Sequence, residues 1–215
     1  MYYGIKYING KEMYGGIKSY ATLRGEIIIP EYINDFKVEF LDANVLSEQK
    51  EITSVVMCDS IKYLGKAICY DSSLRNIRIS NSISCIPEWC FGYCTQLREC
   101  YVPDGVSSID NYSFYDCEML EKIRLPKSII FLGVGSFSHC HSLKGMDLPE
   151  ELEFISDKVF QFCHEMICIV IHSKVRYIGK DAFRKCEKVT IVIDNNSLAV
   201  DYCKKNKIKY LIKGE

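Results

Sequence analysis

Phe91-Gly92-Tyr93-Cys94-Thr95-Gln96-Leu97 decides how this chain is read, because its frame returns every 23 residues. Phe114, Cys117 and Leu120 come next, then Phe137, Cys140 and Leu143. Phe160, Cys163 and Met166 follow, and then Phe183, Cys186 and Val189. Five copies without an insertion mark a repeat architecture, which must be recognised before any single element is assigned. Working outward, apolar residues fall three and five places after each Leu slot, as in Ile77 and Ile79, Cys100 and Val102, Ile123 and Leu125. A second apolar column (Ile83, Val106, Ile129, Leu152, Val175) lies eight places before each Phe. A third (Ile86, Ile109, Leu132, Ile155, Ile178) lies five before it. Toward the N-terminus the pattern weakens, with Leu46 and Cys69 in the Phe slot and Gln49 and Ser72 in the Cys slot. Seven coils result, from about residue 24 to about residue 190.

The physics of one coil follows from these residues. Lys122-Ile123-Arg124-Leu125 alternates polar and apolar, the signature of a strand with one buried face. Pro103, Pro126 and Pro149 end such strands, because proline cannot donate to the ladder. Phe and Cys, three residues apart, are expected on one side of a short helical turn. A single coil cannot bury its own apolar columns. Stacked coils can, and their strands then form a parallel sheet at about 4.8 Å per step.

Composition bounds the function. The chain has 215 residues, a formal net charge of −1 and a hydrophobic fraction of 48%. It can fill a core, and it lacks the excess of Lys and Arg that a dedicated nucleic-acid binder needs. No apolar run reaches the roughly 18 residues of a membrane span, so none is expected. Met1 to Tyr7 shows no basic segment followed by an apolar one, so no signal peptide is expected. Residues 1–23 read as an N-terminal cap, with a strand over Tyr2 to Ile8, a tight turn at Asn9-Gly10 and a return strand. Residues 24–196 are the repeats. Residues 197–215 read as a C-terminal cap, with Ser197 capping a helix over Leu198 to Lys205 before a strand through Ile208, Tyr210 and Ile212. No linker divides the chain, so 1–215 is expected to be one domain.

Units such as Leu120-Glu121-Lys122-Ile123-Arg124-Leu125-Pro126, followed by Ile129, Leu132, Phe137, Cys140 and Leu143, resemble the BspA-type leucine-rich-repeat family. Ile27 to Pro30, Val38 and Leu41 are similar to that family's N-terminal cap. The expected fold is therefore α/β: a right-handed leucine-rich-repeat solenoid of about seven 23-residue coils. A parallel sheet and short helical turns form its sides, and both ends are capped. The resemblance implies a protein-binding role at a bacterial or parasite cell surface, as in adhesion.

The twelve cysteines require their own account. Cys94, Cys117, Cys140, Cys163 and Cys186 share one slot and are expected as a buried, reduced ladder, because equivalent side chains in stacked coils point the same way rather than at each other. So many thiols fit a reducing or anaerobic setting, which leaves the compartment open between cytoplasm and cell surface. Cys58, Cys168 and Cys203 are the thiols least determined by the repeat. His139, Cys140 and His141, with Cys163 and His164 one coil on, carry metal-ligand chemistry, but the cysteines should face inward and the histidines outward. No metal site, no cofactor and no catalytic residue is expected. The chain has no glycine-rich phosphate loop and no nucleophile elbow.

Strand residues facing away from the core are left to form a partner-binding face: Asn76, Arg78, Glu99, Tyr101, Lys122, Arg124 and Asp147. Arg and Tyr are enriched in binding hot spots. The functional expectation is a non-catalytic protein-recognition module. The alternative is a structural unit of a larger or homo-oligomeric assembly. In either case the partner is a protein whose identity the sequence leaves open.

Overall fold

The computed structural model describes the backbone of residues 2–8, 11–18, 23–33 and 35–214, and side chains from residue 23 onward within those ranges. The expected turn at Asn9-Gly10 lies outside the described residues. The chain winds as a β-solenoid, each of its first seven coils contributing a strand to each of two ladders. An antiparallel hairpin, β1 (Tyr2–Ile8) and β2 (Lys11–Lys18), opens it. The first ladder, the face ladder, contains β3 (Arg24–Ile28), β7 (Glu51–Val56), β9 (Asn76–Arg78), β11 (Glu99–Tyr101), β13 (Lys122–Arg124), β15 (Gly145–Met146), β17 (Cys168–Ile171), β19 (Thr190–Ile193) and β20 (Lys209–Ile212). The second contains β6 (Phe40–Leu41), β8 (Tyr63–Leu64), β10 (Cys85–Ile86), β12 (Ser108–Ile109), β14 (Phe131–Leu132), β16 (Phe154–Ile155) and β18 (Tyr177–Ile178). A small hairpin, β4 (Tyr32–Ile33) and β5 (Phe36–Lys37), lies within the first coil, and one helix, α1 (Ser197–Asn206), precedes β20.

Register preserves the 23-residue frame: Glu99 pairs with Lys122, Tyr101 with Arg124, and Ile109 with Leu132. A one-residue slip would turn a whole apolar column outward, so the buried columns hold the register. The Phe slot becomes a column of fully buried rings, with Phe91, Phe114, Phe137 and Phe160 at centroid spacings of 5.1, 5.3 and 5.9 Å. The face ladder is not one continuous sheet. It divides into β3–β7–β9, β11–β13 and β15–β17–β19–β20.

Two expectations need correction. About eight coils are present rather than seven, because β20 pairs in register with β19 (Thr190 with Lys209, Val192 with Leu211) and completes a shorter coil through α1. β19 itself alternates regularly, half-buried then buried, up to the end of the repeats. The helical turns are absent as helices among the described residues, where α1 is the one helix. Residues two before and two after each Phe take left-handed backbone instead, as at Trp89 and Tyr93, Tyr112 and Asp116, Gly135 and His139. The reason is hydrogen bonding between coils. The N–H groups of Trp89, Phe91 and Tyr93 donate to the carbonyls of Asn111, Ser113 and Tyr115 one coil on, and those of Tyr112, Phe114 and Asp116 repeat the pattern. An α-helical turn would direct those donors back into its own coil. Left-handed backbone costs non-glycine residues about 1–2 kcal/mol each, which the inter-coil bonds offset.

At the C-terminus, Asn196 rather than Ser197 caps α1, its side chain accepting from the Ala199 N–H at 3.0 Å. Ala199 and Cys203 are buried against the last coil.

Candidate functional site

Strand alternation sets the candidate face. Cys100, Ile123 and Met146 turn inward, so Tyr101, Lys122, Arg124 and Asp147 turn out. Tyr101 is 62% exposed, a high value for so large an apolar ring. Its register partner Arg124 is exposed, with no carboxylate in ion-pair range among the described residues. Lys122 stands 3.7 Å from Glu99 across the β11–β13 pair. Lys144 reaches Glu121 at 3.8 Å, and Arg98 reaches the same carboxylate at 3.1 Å.

A concavity of about 600 Å³ lies among these side chains. Gly145, the one outward strand position in this region without a side chain, lines it. A Cβ there would meet the Cys168 carbonyl oxygen at 2.5 Å, so the close approach of β17 requires glycine. Glu99, Tyr101, Lys122, Arg124 and Asp147 all line it. Asn76 and Arg78 do not. Arg78 is held to the preceding coil, donating to the Met57 carbonyl and to Asp59 Oδ2 at 2.8 Å. It lines a separate hollow of about 280 Å³ that also touches Tyr101. The Asn81 N–H and the Arg78 guanidinium hold the Asp59 carboxyl below its usual range. The structure therefore joins five of the seven expected residues in one hollow and ties Arg78 into the scaffold. Sequence reasoning missed Lys144 and the hollow itself. The available signal was a glycine at an outward strand position between lysine and cysteine.

The cysteine ladder is buried and its thiols are free. Each Sγ–H donates to the carbonyl of the Phe slot one coil back: Cys117 to Phe91 at 3.1 Å, Cys140 to Phe114 at 3.2 Å, Cys163 to Phe137 at 3.2 Å. This explains cysteine in the slot, which needs a small apolar body with one donor. Burial pushes the thiols of Cys117, Cys140 and Cys163 up, Cys94 to about 11, and likewise Cys100 behind the face to about 12. Of the three thiols the repeat left undetermined, Cys168 is exposed at the rim of the hollow and Cys58 is half-buried. Cys203 is fully buried and burial pushes it up to about 11, so a reactive Cys203 is not what the fold provides.

The histidines join an aromatic stack on the wall of left-handed turns. Trp89 stacks on Tyr112 at 4.6 Å, His139 on Phe162 at 4.5 Å and His141 on His164 at 5.1 Å. Cys140 and Cys163 point away from these rings into the core.

Comparison with known proteins adds the context. A family model described as "BspA type Leucine rich repeat region" matches residues 26–144 and 107–206, in six copies. None of the curated proteins compared matches the chain in sequence. Among solved structures, a leucine-rich-repeat protein of T. pallidum is similar at 17% identity and TM-score 0.79, covering 98% of this chain and 94% of that one. A leucine-rich-repeat protein of Bacteroides ovatus is similar at 20% identity and TM-score 0.55, covering 89% and 69%. The pneumococcal vaccine antigen PcpA is similar at 15% identity and TM-score 0.50, covering 90% and 80%. At such identities the likeness concerns the fold.

Proposed function

The chain belongs to the BspA-type leucine-rich-repeat family, and on that footing we propose that it is a non-catalytic protein-recognition module. Its partner docks on the exposed face of β11, β13 and β15, over the hollow at Gly145. The observation that carries this reading is Tyr101, 62% exposed, beside the Arg124 guanidinium, which has no carboxylate in ion-pair range among the described residues. The exposed ring gains from being covered, and tyrosine beside arginine is a pairing of the residue types enriched in binding hot spots. Lys122 and Glu99 already compensate each other, so they set register and rim polarity more than affinity.

The reading takes residues 1–215 as one right-handed solenoid domain, with 1–23 and 197–215 as caps. It places the protein at a cell surface, by analogy with the family, as an adhesion-type module. No helix among the described residues is long and apolar enough to cross a membrane. Such a placement would therefore depend on features other than a spanning helix in these residues.

The test is affinity capture from cell and host extracts with the wild-type chain beside a Tyr101→Ala, Arg124→Glu variant of equal thermal midpoint. A partner held by the wild type and lost by the variant supports the reading. A partner held equally by both moves the docking site off this face. A chain that captures nothing and is multimeric in light scattering favours the structural-unit alternative.

A further inference from the structure

The face ladder ends at β20, which pairs with β19 on one side and with no other strand of the described residues. The Lys213 N–H donates to the Ile193 carbonyl at 2.9 Å. Amides alternate in direction along a parallel strand, so those of Lys209, Leu211 and Lys213 face β19 and those of Tyr210 and Ile212 face the open edge. Leu211 is 57% exposed and in register with Val192, which is itself in register with Val170, so it ends an apolar stripe crossing three strands. Lys209 and Lys213 flank it two residues away on either side, and Lys204, Lys205 and Lys207 precede the strand; of these five, Lys213 reaches Asp194 at 3.1 Å and the others have no carboxylate in ion-pair range among the described residues.

Lysine at an edge ordinarily guards against aggregation. Here the lysines also dictate what the edge can accept. A second copy pairing antiparallel about Leu211 would set Lys209 opposite Lys213. A second copy pairing parallel would set each lysine beside its own equivalent. Like charges directly across a ladder are unfavourable in both cases. The charges that disfavour β20 pairing with its own equivalent favour a strand of opposite sign.

We propose that the open edge of β20 receives an extended acidic segment of a partner protein as the next strand of the ladder. The segment carries Asp or Glu at alternate positions around one Val, Ile or Leu. Its apolar residue continues the stripe at Leu211, its carboxylates face Lys209 and Lys213, and its backbone pairs with Tyr210 and Ile212. This surface is separate from the Tyr101–Arg124 face.

The test uses amide hydrogen exchange, read by NMR on the full chain. The probe is a short synthetic peptide alternating threonine with glutamate, valine and glutamate, compared with its lysine counterpart. The glutamate peptide should slow exchange at Tyr210 and Ile212 about tenfold and leave Leu211 unchanged, because Leu211 is already bonded to β19. The protection should weaken as salt is raised. It should vanish in Ile212→Pro, which removes an edge-facing N–H and leaves the bonds to β19, and in Lys209→Glu. Both variants should keep the wild-type thermal midpoint. Equal protection by the lysine peptide overturns the proposal. So does binding that leaves Tyr210 and Ile212 unprotected, or no protection at large peptide excess. Slow exchange at those two amides in a dimer without peptide also overturns it, since a second copy would then hold the edge.

Discussion

A single side chain in this solenoid is constrained by its equivalents one coil before and one coil after. Position 133 shows how. Asp42, Gly65, Pro87, Asp110, Gly133, Ser156 and Gly179 occupy one slot in successive coils. A Cβ on Gly133 would meet the Asn111 backbone nitrogen and the Asp110 carbonyl carbon, each at 2.6 Å, and Asn111 Oδ1 at 2.8 Å. That same Oδ1 accepts the Val134 N–H at 2.8 Å, so the Asn111 side chain reaches across the glycine to the next coil. Gly133→Ala should therefore lower stability by about 1–3 kcal/mol, the usual cost of forcing a methyl into a packed site. Chemical denaturation checks it, and an unchanged midpoint would mean that the two coils are not so closely apposed. Equal spacing of apolar columns made the Phe and Leu slots readable from sequence. The glycine slot was not readable, because its clash is with residues 22 and 23 positions earlier.

At the scale of the element, the turn wall differs most from expectation. The Phe-x-x-Cys spacing suits a helical turn, and the i to i+3 bonds of that spacing do form, as from the Cys117 N–H to the Phe114 carbonyl at 3.4 Å. Inter-coil pairing then imposes left-handed residues on either side, a choice made by the neighbouring coil rather than by local propensity. The wall carries a titratable group, His139, whose ring lies 4.5 Å from Phe162 and 5.0 Å from Tyr115, with Nδ1 3.0 Å from Ser138 Oγ. Burial first, and then the neighbouring His141 and His164, lower its pKa, while the Asp116 carboxylate opposes the shift. The native state therefore takes up this proton less readily than the unfolded chain. Stability at this site should be full above the ordinary histidine pKa of about 6.5 and fall as pH drops through it. Burial raises the Asp116 carboxyl, which acts in the opposite sense and in the lower carboxylate range. Thermal midpoints between pH 7.5 and 5.5, measured beside His139→Phe, check this. The variant should show a flatter profile, since Phe162 already occupies the equivalent slot with the same left-handed backbone. An equally steep profile would assign the acid sensitivity elsewhere.

Across the whole molecule, stacking sorts twelve cysteines into three classes: nine buried, Cys58 and Cys85 half-buried, and Cys168 exposed. Thiol reactivity follows access to thiolate, and burial raises thiols such as Cys69, Cys117 and Cys140. Alkylation of the native protein, counted by mass spectrometry, should show one fast thiol that disappears in Cys168→Ser. The buried set should react only on unfolding. Burial also raises the Cys85 thiol, so Cys85 should be slower than Cys168. Several fast thiols would contradict the closed core. Because each coil contacts only its neighbours, stability is built from repeat and interface terms, and both ends of the stack matter to it.

The sequence by itself determined the solenoid, because a 23-residue apolar period leaves no other way to bury its columns. It also determined the inward cysteine ladder and the outward set Tyr101, Lys122, Arg124, since strand alternation is a property of local chain geometry. Only the tertiary structure decided the eighth coil, the left-handed turn wall, the breaks in the face ladder, the hollow at Gly145 and the engagement of Arg78 with Asp59. Each depends on how one coil meets the next, a distance of 19 to 23 residues along the chain but only one strand spacing in space.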